Sequence, residues 1–72
     1  MTEREFNRQL GANIRGARAA AGIRQCDLAA AMCWWPAQLC RMEQGTLGVG
    51  VNRLRRLAAA LGVNAVSLLP QP

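Results

Sequence analysis

The sequence predicts an all-α domain of five short helices. Three observations carry that expectation. Apolar residues recur at three- and four-residue spacing in several segments, as one face of a helix requires. Capping residues, glycines and prolines fall at the ends of those segments. No segment shows the strict apolar–polar alternation of a half-buried strand.

The first helix opens on Thr2-x-x-Glu5, a capping box in which the Thr hydroxyl accepts from the Glu5 amide. Phe6, Leu10, Ile14, Ala17 and Ala21 then recur at helical spacing, with Arg8, Arg15 and Arg18 between them, for which a solvated face is the plainest reading. Gly22 is its natural stop, after about nineteen residues. "QCDLAAAM" reads as a second helix, with Asp27 near its positive N-terminal end and Leu28, Ala29 and Met32 inward. Cys33 and Trp34 form a tight break. Pro36 suits the first position of a third helix, where its missing N–H costs nothing. Leu39 and Met42 face inward, Ala37, Gln38 and Arg41 point elsewhere, and Gly45 ends the helix. "TLGVGV" is a loop. Leu54, Leu57, Ala58 and Leu61 make the inner stripe of a fourth helix, stopped by Gly62, with Arg53, Arg55 and Arg56 outside. Asn64 caps a last short helix containing Val66, Leu68 and Leu69, and Pro70 follows.

Composition narrows the function. Seventy-two residues make one domain, 1–72, near the lower limit for folding on a single core. Hydrophobic residues are 51% of the chain, but many are alanine, so large core residues are few. All nine basic residues are arginine, the net charge is +5 and the pI is about 11.1. Such a domain attracts polyanions, nucleic acid first and anionic membrane second. The arginines are spread over several short segments rather than one amphipathic face, which disfavours a membrane surface. No apolar run approaches the roughly 20 residues of a membrane span, and the charged N-terminus is no secretory signal, so a cytoplasmic location is expected.

Cys26, Cys33 and Cys40 are an odd number without a CxxC pair, and His is absent. A disulfide framework and a tetrahedral zinc site are therefore both disfavoured, and no metal or cofactor is expected. A reactive thiol at Cys40 beside Arg41 stays open, against the plainer reading of small, semi-buried apolar residues. With one Asp, three Glu and no nucleophile–base set, the chain is not expected to be an enzyme.

"QCDLAAAM" and "PAQLCRMEQG" are two short helices joined by a three-residue turn, with Ala29 where the helices must come close. That is the layout of a helix-turn-helix, spanning about 25–45. At these residues, together with "LGANIRGARAAAGIRQCDLA", "LCRMEQG" and "LRRLAAALGVNAVSLL", the chain resembles the Cro/cI-type (XRE-like) helix-turn-helix repressors of phages and bacteria. The likeness runs from about Leu10 to Leu69 and implies a lambda-repressor-like fold. It also implies binding to double-stranded DNA as a homodimer on a near-palindromic operator.

Carried over by position, the resemblance puts Pro36, Ala37, Gln38 and Arg41 toward the bases. Gln25 matches a phosphate contact, and Arg18 and Glu43 match a buried ion pair. Both members of that pair also lie on otherwise apolar stripes, where a Glu needs a cation. Arg24, Trp35, Gln44, Asn52 and Arg53 are the further candidates for phosphate contacts. The chain departs from the pattern in three places. Cys33 stands where the family has a positive-φ glycine, Trp35 where it has a Ser or Thr cap, and "TLGVGVN" lacks the usual loop cation. The dimer surface is expected in the fourth-to-fifth helix region and the glycine loop, with Leu47, Val49 and the C-terminal leucines exposed there. A repressor, an antitoxin and a restriction–modification controller share this chemistry. A helical protein-interaction module anchored by Trp34 and Trp35 is the rival of another class.

Overall fold

Local chemistry sets each helix boundary. The Thr2 hydroxyl accepts the Glu5 amide at 3.1 Å, and Asn64 Oδ1 accepts the Val66 amide at 3.0 Å, so both side-chain caps form as the sequence predicts. The computed structural model describes residues 1–71. Within them the chain forms α1 (Glu3–Ala20), α2 (Gln25–Ala31), α3 (Pro36–Gln44), α4 (Val51–Leu61) and α5 (Ala65–Leu68). No strand occurs among the described residues, and no helix there is long and apolar enough to cross a membrane.

The five helices enclose one core. Leu10 and Ile14 from α1, Leu28 and Ala29 from α2, Leu39 from α3, and Leu54, Leu57, Ala58 and Leu61 from α4 are buried together, with Met32 and Leu68. The inner stripes therefore match those read from the spacing, except at the ends of α1. Phe6 is 38% exposed, and Ala21 is an exposed C-cap. The C-terminal leucines also differ from expectation. Leu68 is buried in the core and Leu69 packs against it, because the Asn64 cap turns α5 back over α1 and α4. The Asn13 amide fixes that turn by donating to the Leu68 carbonyl at 2.9 Å.

The packing that matters most for function is α1 against α3. A Cβ built on Gly11 would run into the Met42 carbonyl oxygen and lie 2.6 Å from that of Glu43. The two backbones thus meet at a point where no side chain fits. One turn later Gly45 ends α3 at φ 81°, a left-handed C-cap, and its Cα faces the Arg8 backbone. Two glycines, Gly11 within α1 and Gly45 at the C-cap of α3, allow this close approach of α3 to α1.

Candidate nucleic-acid interface

The third helix is held from behind by charge as well as by packing. Arg18 Nε donates to Glu43 Oε2 at 2.7 Å and Arg18 Nη2 to Glu43 Oε1 at 3.1 Å, a two-pronged pair. The side chains are only 15% and 3% exposed. A third donor of Arg18, Nη1, reaches the Ile23 carbonyl at 3.0 Å and ties the α1–α2 link to the same group. The hydrogen bond to Glu43 holds the Arg18 guanidinium above its ordinary pKa, against the opposing effect of burial. Gln25 Nε2 also donates to Glu43 Oε1, at 3.1 Å. One carboxylate thus joins α1, α2 and α3, and no side-chain N or O atom among the described residues is buried without a partner.

The turn before α3 carries the strain expected at Cys33, which adopts φ 60°. Of the two tryptophans, Trp34 is half-buried against the core, with the Arg56 guanidinium 5.8 Å above its ring. Arg56 Nη2 also donates to the Met32 carbonyl at 3.0 Å, so α4 clamps the turn. Trp35 is the N-cap of α3, makes no side-chain capping bond and is 80% exposed. Pro36 takes the first helical position as expected.

The exposed side of α3 is a shallow depression lined by Trp35, Ala37, Gln38, Arg41, Leu47 and Arg53. No acidic residue lines it. Five of the residues expected to meet DNA are therefore neighbours, with exposed Pro36 at the helix start beside them. Gln25 and Gln44 line a second depression with Arg15, Cys40 and the Arg18–Glu43 pair. Asn52 belongs to a third, with Arg55, Arg56 and Ala59. Arg24 stands apart again: its Nε donates to Asp27 Oδ2 at 2.8 Å, between side chains 78% and 53% exposed. The other seven arginines make no ion pair among the described residues.

Some expectations need correction. Leu47, expected to be exposed, is half-buried and lines the α3 depression, where the loop after Gly45 comes close to Arg53. Val49 packs against the core rather than lying free. Cys26 and Cys33 are exposed, not semi-buried, and only Cys40 fits that description. Arg15 and Arg56 are exposed as expected, but each also has a local role: Arg15 lines the second depression and Arg56 clamps the turn. Their roles depend on neighbours far along the chain, Gln25 and Met32, which no local spacing signals. No group of acidic, Cys or His side chains among the described residues could hold a metal ion.

Comparison with known proteins agrees with this geometry. The profile of the helix-turn-helix domain family matches residues 9–69. Among solved structures, the DNA-binding domain of BldD is 32% identical, with 97% of this chain and 100% of that one covered at a TM-score of 0.85. The clp gene regulator ClgR from C. glutamicum is 30% identical over 88% of this chain and 81% of its own, at 0.84. The hypothetical transcription factor NHTF from Neisseria is 28% identical over 100% and 83%, at 0.85. No curated protein sequence matches the chain.

Proposed function

Because the chain belongs to the helix-turn-helix domain family and has the fold of its DNA-binding transcription regulators rather than of an enzyme, we propose that it is a sequence-specific repressor. In this reading the whole chain is one domain acting in the cytoplasm as a homodimer. Two copies set their α3 helices about one DNA turn apart, roughly 34 Å, on a near-palindromic operator. The observation that carries the reading is the acid-free depression along α3, where the unpaired Arg41 and Arg53 stand beside Gln38 and Ala37.

Each residue has a role its chemistry suits. Arg41 donates two hydrogen bonds to guanine O6 and N7, Gln38 pairs with adenine N6 and N7, and Ala37 packs on a thymine methyl group. Pro36 starts the helix at the groove without a donor to satisfy. Arg24, Gln25, Gln44, Asn52 and Arg53 contact phosphates, which fix orientation and carry no sequence information. The Trp35 indole N–H is a further donor to the backbone. Arg18 and Glu43 touch no DNA but hold α3 at its angle.

Selection of bound duplexes from a random DNA pool tests the reading. The expected product is a motif of two inverted half-sites spaced by about one turn, bound with an affinity that falls steeply with salt as counterions are released. If no duplex binds in a salt-sensitive way, the reading is wrong. An apolar protein-interaction surface would respond little to salt, and Trp34 is already taken up by the core and Arg56.

A further inference from the structure

Two depressions flank α3, and each is lined from a neighbouring helix by an arginine that no carboxylate neutralises. Toward α4 that arginine is Arg53, beside Ala37, Gln38 and Arg41. Toward α1 and α2 it is Arg15, which shares its depression with Gln25 and, from α3, Cys40 and Gln44. At about 3.6 residues per turn, Cys40 and Gln44 form one stripe of α3, and Ala37, Arg41 and Gln38 the stripe beside it. The two depressions therefore bracket the helix. The acid on the Arg15 side is Glu43, whose side chain is 3% exposed and already bonded by Arg18 and Gln25. The same bonds occupy Arg18. Arg24 lies outside this depression and is paired with Asp27. Arg15 is exposed, stands one turn before Arg18 and makes no ion pair among the described residues. Beside it, Gln25 gives one Nε2 hydrogen to Glu43 and keeps the other.

A major groove roughly 12 Å wide is walled on each side by a phosphodiester strand, so a helix lying in it meets two rows of phosphates. The DNA-binding reading above, on which this inference rests, gives the free cation Arg53 to one wall. The other wall receives only neutral amides and Arg24, whose guanidinium Asp27 already holds. We propose that Arg15 grips this second wall. Its guanidinium takes one phosphodiester of the strand opposite to the one held by Arg53, and the Gln25 and Gln44 amides complete the seat. Amides alone orient a phosphate but release no counterion, whereas the guanidinium fork supplies both charge and two parallel donors. The seat is also tied to the hold on α3. Arg15 and Arg18 stand one turn apart on α1, and Arg18 fixes Glu43, which in turn fixes Gln25. The helix that clamps α3 from behind thus also sets the distance from the reading face to the phosphate row.

Neutralising the phosphates one at a time supplies the test. Each phosphate of the selected operator is replaced in turn by an uncharged methylphosphonate, and binding of the full chain is measured against salt. Arg15→Gln should melt at the wild-type temperature, because the side chain is exposed. It should weaken operator and random duplexes alike, roughly tenfold, and lower the salt slope by about one per subunit. One phosphate per half-site that matters to the wild type should no longer matter to Arg15→Gln. Arg53→Gln should silence a different phosphate, on the opposite strand. Arg15→Lys keeps the charge without the fork and should restore most of the salt slope. An unchanged slope, or a full set of sensitive phosphates in Arg15→Gln, overturns the seat but leaves the DNA-binding reading standing. Lost discrimination between operator and random duplex would make Arg15 a base reader and also overturns it. If both glutamine variants silence the same phosphate, the placement on opposite walls is wrong. Absence of salt-sensitive binding to any duplex removes the reading and the seat together.

Discussion

The two ends of α3 are built on opposite terms. At the C-terminal end Met42 and Glu43 are buried, Gly11 brings the α1 backbone against theirs, Arg18 holds the Glu43 carboxylate and Gly45 turns away over Arg8. At the N-terminal end Trp35 and Ala37 lie in solvent, no side chain caps the helix and Cys33 just before it is strained. One end is over-determined by the fold and the other is left unsatisfied. A reading surface needs both: open groups where a ligand comes, and a rigid hold where none does.

Substitutions at the held end should therefore cost stability, and the largest effect is expected at Gly11. A methyl group there meets two backbone carbonyl oxygens that cannot rotate away, so α1 and α3 must separate and the core between them must loosen. Gly11→Ala should destabilise by about 4 kcal/mol in thermal or urea unfolding. A variant of wild-type stability would mean that the helices are not in contact at this point. Arg18→Ala comes next, at about 3 kcal/mol, because it strands the Glu43 carboxylate in the core. Arg18→Ala combined with Glu43→Gln should recover part of that loss. If the double variant is no better than the single one, the stranded charge is not the cause.

The sequence makes these two positions unequally visible, for a physical reason. The Arg18–Glu43 pair can be found because charged residues on apolar stripes demand partners, and the resemblance to known repressors supplies the pairing. Gly11 sends no such signal. A glycine inside a helix reads as a modest local cost of about 1 kcal/mol, and only the crossing of α1 over α3 explains it. The same limit hides the Arg56 bond to the Met32 carbonyl and the packing of Leu47 and the C-terminal leucines. Helix positions, caps and inner stripes depend on neighbours three or four residues away, and these were legible almost throughout. Within the α3 depression, Ala37, Gln38 and Arg41 were legible as neighbours because they share a short helix, and Leu47, which a loop brings in, was not.

At the open end the expected effects are smaller and fall on different measurements. Arg41→Ala should leave the melting temperature unchanged, since the side chain is exposed. It should remove about 2 kcal/mol of discrimination between operator and random duplex. Undiminished discrimination would reassign the guanine-reading role. The Cys33 backbone sits at φ 60°, which glycine accepts without the clash a Cβ brings. Cys33→Gly should therefore raise stability by about 1 kcal/mol. A loss of stability there would mean that the thiol makes a contact worth more than the strain. This change sharpens the contrast between the ends: it relieves the open end without touching the hold.

The smallest effect is expected from the second ion pair, which has nearly the geometry of the first without its burial. Arg24 Nε lies 2.8 Å from Asp27 Oδ2, against 2.7 Å in the Arg18–Glu43 pair, yet both of its side chains are more than half exposed. Water and salt screen such a pair, so distance alone does not set its worth. The hydrogen bond from Arg24 lowers the Asp27 pKa below its ordinary value of about 4. A carboxylate with a depressed folded pKa contributes stability above its unfolded pKa and loses it as pH falls through the folded one. Asp27→Asn should therefore lower the melting temperature slightly at pH 7, by an amount that shrinks with added salt. The difference from wild type should begin to shrink as the pH drops below about 4 and vanish once the pH lies below the depressed folded pKa. A gap that persists in strong acid would mean that Asp27 acts through something other than its charge. A gap at pH 7 as large as that of Arg18→Ala would mean that burial is not what separates the two pairs.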